Sequence, residues 1–421
     1  MAGSPLLLLR ARVVLPIHRP PIADGGVVVS GQRIAAVGRW RALRSAFAGE
    51  VHELGDVVLL PGLVNAHCHL DYTHMVGLFP PQKRFCDWIK LITTEKAHWT
   101  FSDYAEAWLD GASMLLRSGT TTVADIEAVP ELLPDVWTAT PLRVLSFLEM
   151  TGVRSRREPE LILREALEKI DALPAHRCSA ALSPHAPYST TRRLLQRTAT
   201  FAGKRQLRVT THVAESATEF EMFRHARGEM FEWLQRNERD MADCGRGSPV
   251  QHVAGAGLLG RNFLAAHVNC LAPGDAALLA RRQASVVHCP RSHDYFKHPK
   301  FPYRALARAG VNICLGTDSL ATVQKTPRQK VELNLFAEMR AFAKAQPRVP
   351  PEQIIRMATT NGARALGLRR QVGELRPKAF ADLIALPFAG KPTDSYAAVV
   401  AHAGPLTAGM IDGDWTLAPR A

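Results

Sequence analysis

The 421-residue chain carries seven cysteines (68, 86, 178, 244, 270, 289 and 314), with no Cys-x-x-Cys pair and no even spacing among them. That excludes a zinc ribbon, a thioredoxin-type redox motif and a secreted disulfide framework. Cys68, Cys178, Cys270, Cys289 and Cys314 lie in or beside apolar runs, where a thiol acts as a small buried hydrophobe and suits a reducing cytoplasm. No apolar run is long enough to cross a bilayer. The opening leucines, 6–9, are followed by Arg10 and Arg12 without an Ala-x-Ala cleavage site, so no secretory leader is expected. Internal repeats, low-complexity tracts and long linkers are also missing. Basic residues outnumber acidic ones by 52 to 39, a net charge of +13. They fall in Arg-rich stretches such as 154–157 and 192–193 rather than in a basic patch interleaved with aromatics, so a solvated surface is expected and nucleic acid is not.

What is present is an ordinary globular balance, 47% hydrophobic and 22% charged, at a length that suits one large α/β barrel or two domains. Residues 6–15, 26–30, 33–37 and 53–60 read as short strands broken by Pro and Gly turns. From 61 to 368 the texture changes to short apolar strands alternating with helix-length amphipathic segments. The strands are expected at 63–67, 121–125, 142–149, 178–183, 208–212, 263–267, 285–288 and 312–316. Helices are expected at 102–117, 158–170, 190–202, 218–235, 273–282, 303–308 and 328–345, with one more at 351–366. Eight strands each followed by helical material predict an α/β fold of the (β/α)8 TIM-barrel type. A doubly wound sheet is the alternative, but no Gly-x-Gly-x-x-Gly follows the first strand. Strand character returns at 373–375, 381–386 and 409–415. The two β-rich ends, 1–60 and 369–421, are therefore expected to pair into one small domain beside the 61–368 barrel.

His67, Cys68 and His69 end the first of these strands. Side chains alternate along a strand, so the two histidines share a face and Cys68 takes the other. Two imidazoles on one face make half of a first-row metal site. Other polar residues fall at strand ends as well: His185 after the fourth, His212 ending the fifth with Glu215 three residues on, His267 ending the sixth and Asp318 ending the eighth. In a barrel that rim is where chemistry sits. Packing does not account for so many polar strand ends, because burying such groups unpaired costs several kcal/mol each.

These motifs, from Pro61-Gly62-Leu63-Val64-Asn65-Ala66-His67-Cys68-His69 through His212-Val213-Ala214-Glu215 to Gly316-Thr317-Asp318-Ser319, resemble the amidohydrolase superfamily. Within it they resemble the cytosine, guanine and S-adenosylhomocysteine deaminase branch. The resemblance implies that the flanking strands form a β-sandwich domain, and that His67, His69, His212 and Asp318 hold a divalent metal. Zn²⁺ is the first choice and Fe²⁺ the second. Two-metal members bridge their ions through a carboxylated Lys, usually on the fourth strand. Between Thr120 and His212 the only lysines are Lys169 and Lys204, neither at a strand end, so one metal per chain is expected. Catalysis is assigned by the same resemblance to Glu215 as proton donor to a ring nitrogen, Asp318 as proton shuttle and His267 as the group that orients the attacking water.

Substrate contacts are expected from Trp88, a lid over the base, from His185 in a His-Ala-Pro-Tyr element, and from Arg291 as a clamp on an acidic group. His293 stands where the family usually has Asn, and Lys378-Ala379-Phe380-Ala381-Asp382 departs from the family's Gly-Lys-x-Ala-Asp turn. Leu182-Ser183-Pro184-His185, the 212–224 segment and His267-Val268-Asn269 look like the aminodeoxyfutalosine deaminases of the futalosine route to menaquinone. The expected activity is thus hydrolytic deamination of an adenine nucleoside bearing a benzoate. Deamination of S-adenosylhomocysteine or methylthioadenosine, triazine hydrolysis and a non-catalytic metal-site protein are the alternatives. The partner is a small nucleoside; a homodimer is the one assembly allowed for, with neither nucleic acid nor membrane involved.

Overall fold

Eight short segments rich in Val, Ile, Leu, Ala and Thr form parallel strands that pair in chain order. They are Leu63–Cys68, Thr120–Glu127, Arg143–Met150, Ser179–Pro184, Val209–Val213, Phe263–His267, Ser285–His288 and Asn312–Leu315. The computed structural model describes residues 5–80, 82–153, 157–174, 177–325 and 330–419. Every residue of the first, second, fifth and sixth barrel strands is buried, as expected where helices cover a parallel sheet. The ring closes between its first and last members. Cys68 bridges Asp318 in parallel, the Thr317 and Asp318 amides donate to the His67 carbonyl at 3.0 and 3.1 Å, and Asn65 Nδ2 donates to Thr317 Oγ1 at 2.8 Å. Closure therefore fixes the His67 and Asp318 backbones against each other.

Helices wrap the ring because each has one apolar stripe. Phe101–Arg117 buries Tyr104, Ala107, Trp108, Gly111, Ala112 and Leu115, positions that return to one face every three to four residues. A capping box of Thr100 and Asp103 starts it, satisfying backbone amides that otherwise lack partners. Three expected helices are changed. The 218–235 segment is two helices, Ala217–His225 and Glu229–Arg236, because the chain turns through positive φ at Ala226 (50°) and Gly228 (94°), a conformation that glycine adopts without penalty. The 351–366 segment is likewise split into Pro351–Met357 and Thr360–Ala365. The 328–345 helix begins only at Leu335, where the Asn334 side chain caps the Phe336 and Ala337 amides; residues 328 and 329 lie outside the described residues, as do Arg154, Ser155 and Arg156. A helix over Phe85–Lys96, between the first two barrel strands, was not anticipated.

The two ends of the chain meet in one eight-stranded mixed sheet. Leu6–Val14 branches it, pairing in parallel with Glu50–Glu53 and then with Val57–Pro61, while Leu383–Pro387 runs antiparallel to Val57–Pro61. The strand character expected at 373–375 is absent, and a helix, Ser395–Ala401, intervenes before the last two strands. Arg143, at the start of the third barrel strand, ties barrel to sheet: Nη2 donates to Asp412 Oδ1 at 2.6 Å and Nε to Asp382 Oδ2 at 3.4 Å. Phe380, in the divergent turn, lies between the guanidinium groups of Arg33 and Arg143, at 3.5 and 3.7 Å from its ring centroid. All seven cysteines are free, and all but Cys270 are buried. Among the described residues no helix is long and apolar enough to cross a membrane.

Candidate active site

The C-terminal ends of the barrel strands bring His67, His69, His212, His267, Glu215 and Asp318 into one buried cluster. His69 and His212 approach Nε2 to Nε2 at 3.4 Å. Asp318 Oδ1 lies 3.7 Å from Nε2 of both His67 and His69. Donor atoms of His67, His212 and His267, of His67, His69 and Asp318, and of Glu215, His267 and Asp318 each fall within 4.8 Å of one another. Four residues at these strand ends hold left-handed backbone without being glycine: Ala214 (φ 51°), His267 (71°), Val268 (51°) and Asp318 (55°). Such strain persists only where the surroundings enforce it.

The donor set fits a divalent cation. Both ring nitrogens of His67, Nδ1 of His69 and Nε2 of His267 are buried without a hydrogen-bond partner, a costly arrangement for polar groups unless something accepts their lone pairs. His212 Nδ1 faces the His185 carbonyl at 2.9 Å, which puts its proton there and leaves Nε2 as a lone pair aimed into the cluster. Ser292 Oγ donates to Asp318 Oδ2 at 2.6 Å, leaving Oδ1 for the histidine side.

Burial sets the protonation states. It drives His69 and His267 down to about 3 and His212 well below its usual value, with neighbouring histidines adding to the effect at His69 and His212. All three stay neutral, the ligating form. Burial alone would raise Asp318, but His67, His267 and His69 outweigh it and hold the carboxylate well below its usual range. Glu215 goes the other way: burial, then the charges of Asp318 and Glu219, push it well above the ordinary carboxyl range. The Glu215 carboxyl, its proton affinity raised in this way, sits 3.7 Å from His267 Nε2.

The cluster floors a cavity of about 350 Å³ walled by Tyr72, Trp88, Lys96, Glu149, His185 and Trp233. Trp88 and His185 therefore line it, as does Tyr188. Arg291 does not, and its expected clamp role is corrected: its Nε is bonded to Glu338, a carboxylate of zero exposure, and its Nη2 to the Glu332 carbonyl at 3.0 Å. A buried carboxylate needs that counter-charge. His293 also lies off the cavity wall, with Nδ1 3.0 Å from Asn269 Oδ1, while Asn269 Nδ2 donates to the Glu215 carbonyl at 2.9 Å.

Three participants escaped the sequence. Glu219 accepts from the Ala214 and Glu215 amides at 3.0 and 2.8 Å and so fixes the loop that carries Glu215. Lys96 is hydrogen-bonded to the Tyr72 hydroxyl and stands 3.9 Å from Glu149 Oε1. Glu149 Oε2 in turn lies 4.0 Å from His185 Nε2. The signal for Lys96 was helical period: Trp88, Ile89, Ile92, Thr93 and Lys96 all face the cavity, the i, i+4, i+8 stripe of one helix. For Glu149 it was a carboxylate at a strand end.

The sequence pattern of the Amidohydrolase family matches residues 58–416. The chain belongs to that family. This amidohydrolase, a hydrolase of carbon–nitrogen bonds, is 30% identical over 359 residues to an aminodeoxyfutalosine deaminase of Deinococcus radiodurans, covering 82% of each chain. It is 32% identical over 383 residues to a 5-methylthioadenosine/S-adenosylhomocysteine deaminase of Syntrophobacter fumaroxidans, covering 86% of this chain and 80% of that one. Among solved structures, an adenosine deaminase from Xanthomonas campestris with bound zinc superposes with a TM-score of 0.84 at 25% identity, over 98% of this chain and 92% of that one.

Proposed function

We propose that this amidohydrolase is a mononuclear metal-dependent deaminase of an adenine nucleoside, with aminodeoxyfutalosine as its substrate. The observation that carries the reading is Glu215, a buried carboxyl grouped with His267 and Asp318 on the floor of an aromatic-walled cavity, where burial favours its protonated form. His67, His69, His212 and Asp318 would hold one divalent ion, Zn²⁺ before Fe²⁺. Bound there, such an ion supplies the Lewis acidity that makes water nucleophilic near neutral pH.

The chain's own groups do the rest. Glu215 donates its proton to the purine nitrogen next to the amine-bearing carbon, which makes that carbon electrophilic. Asp318 takes a proton from the attacking water, with His267 orienting it, and delivers that proton to the amine. Ammonia leaves as the carbon–nitrogen bond breaks, and Glu215 recovers its proton from the ring nitrogen or from solvent. Trp88 covers the base and His185 contacts it. Residues 61–368 form the catalytic barrel, and 1–60 with 369–421 a small domain beside it, in a cytoplasmic enzyme.

Support for this substrate comes from the cavity wall. Lys96 is the one cationic side chain among the residues lining the cavity, and with Arg291 engaged by Glu338 it is the group placed to meet an anionic tail. The Deinococcus relative supports this reading. The apolar stretch of the wall, with Ile89, Ile92, Val153 and Leu234, favours a thioether tail instead, as the Syntrophobacter relative's name suggests. Ammonia release across aminodeoxyfutalosine, adenosine, methylthioadenosine and S-adenosylhomocysteine separates the two. The carboxylate substrate should have the highest kcat/KM, and Lys96→Met should lower that value by about tenfold to a hundredfold, the worth of a charge-assisted bond, while sparing adenosine. Equal or faster turnover of either sulfur nucleoside removes the menaquinone reading and leaves deamination standing. Release from none of them, with chloride or amine freed from triazines, removes both.

A further inference from the structure

The arginines of this chain are not spread evenly. At the opposite end of the barrel from the active site, where the strands begin, a second cavity of about 840 Å³ opens among the segments preceding the fifth, sixth and seventh strands and the 356–376 segment. Seven arginines line it against a single carboxylate, Glu374. The lining thus carries 7 − 1 = +6, whereas the whole chain balances 52 basic against 39 acidic residues.

The cations are seated. Arg208 Nη1 donates to the carbonyls of Arg261 and Ala365 at 2.8 and 3.1 Å and has no carboxylate partner among the described residues. Its guanidinium occupies room that only glycine leaves: a Cβ on Gly367, at φ +78°, would lie 2.3 Å from Arg208 Nη2. Arg356 pairs with Glu352 through Nη2 at 2.6 Å, yet its Nε is buried with no acceptor. Arg364, Arg369 and Arg370 are exposed, with no side-chain hydrogen bond or ion pair among the described residues, and Arg370 holds a left-handed backbone at φ 66°. Beyond the pairs Arg356–Glu352 and Arg376–Glu374, gathering this many like charges with so few counter-charges destabilises the folded state.

The chemistry of the missing partner follows. Guanidinium forks match phosphate oxygens two at a time. The cavity is too large and too highly charged for one phosphate. Its lining holds one aromatic ring, His18, against seven arginines and no Phe, Tyr or Trp, so charge and not stacking dominates the recognition it offers. We infer that the arginine-lined cavity at the N-terminal face of the barrel binds a small oligophosphate, a chain of the length of inorganic tripolyphosphate.

The test is calorimetric titration and thermal unfolding of the full-length metal-loaded protein with inorganic tripolyphosphate, against sodium chloride at matched ionic strength. One anion should bind per chain and raise the Tm, because a ligand that binds only the folded state stabilises it by mass action. The Arg364→Gln/Arg369→Gln variant changes two exposed side chains outside the catalytic cavity. It should bind tripolyphosphate at least about tenfold more weakly while its anion-free Tm stays equal to or above that of the wild type. Chelation of the catalytic ion acts on both proteins alike, so the difference between them is the readout. An equal effect from sodium chloride, or unaltered binding by the variant, overturns the inference. So does tight binding of a single-stranded oligonucleotide or of phosphatidylserine vesicles that tripolyphosphate fails to displace, which would assign the face to a polymer or a membrane.

Discussion

Glu215 and His212 leave the same strand three residues apart, and a substitution at each separates chemistry from metal retention. If Glu215 is the proton donor, as proposed, Glu215→Gln should lower kcat by at least about a hundredfold, the worth of a positioned acid, with metal content and Tm unchanged. His212 contributes a lone pair and no proton, so His212→Ala should lose the metal itself. Elemental analysis beside an ammonia assay checks both. Near-wild-type turnover by Glu215→Gln would reduce Glu215 to a residue held by its backbone alone, its amide on Glu219 and its carbonyl on Asn269 Nδ2. On the same reading Glu219, which accepts from the Glu215 amide at 2.8 Å, is a positioning residue.

Asp125 operates between elements. On the second barrel strand it accepts from the Leu70 amide and from Trp108 Nε1, both at 3.0 Å. It thereby joins that strand to the 3-10 turn Leu70–Met75 after the first strand and to the helix Phe101–Arg117. The turn carries Tyr72 into the cavity, so the clamp sets the wall where Lys96 is held. Burial raises Asp125 to about 7. Its folded value lies above its unfolded value of about 4, so the folded state holds the extra proton. Its contribution to stability is complete below about pH 4 and is lost as pH rises through about 7. Asp125→Asn removes this titration along with one acceptor. Urea unfolding across this range should show the wild type's advantage over Asp125→Asn shrinking as pH rises. A constant difference would mean that Asp125 is ionised throughout.

At the scale of the molecule, the barrel and the terminal sheet are joined by charge as well as by apolar packing. Arg143 is 6% exposed and faces Asp382 and Asp412, at 2% and 6%. Removing one member of a buried ionic group leaves the others uncompensated, which costs about 3–5 kcal/mol. Arg143→Met should therefore destabilise the protein by roughly that amount in chemical denaturation. Arg177 Nε keeps its bond to Asp412 Oδ2 at 2.7 Å, so Asp382 bears most of the loss. A change under about 1 kcal/mol would mean that water reaches the joint and solvates it. The metal cluster lies at the other end of the barrel strands, and its affinity should not change in the same variant.

Much of this architecture was legible one strand at a time. Alternation and turn residues placed all eight barrel strands to within about two residues, and their polar ends marked His67, His69, His212, His267 and Asp318, because strand period and burial cost are local properties that neighbouring residues dictate. Helix interruptions were less legible: the break at 226–228 depends on a backbone turn that the apolar stripe on either side does not reveal. Long side chains were least legible. Arg291 and Lys96 are both cations near the rim, and nothing local says which one lines the cavity. Packing decided it, by bringing Glu338, 47 residues further along, to Arg291, and by setting Lys96 two helical turns from Trp88 against Tyr72 and Glu149. The arginine cavity has the same origin, since its members lie on segments from 208 to 376 and become neighbours only when the barrel closes. A sequence determines what each short segment prefers and what its side chains can do. Which charges meet is settled by tertiary contact, because Coulomb and desolvation energies depend on distances that the sequence does not contain.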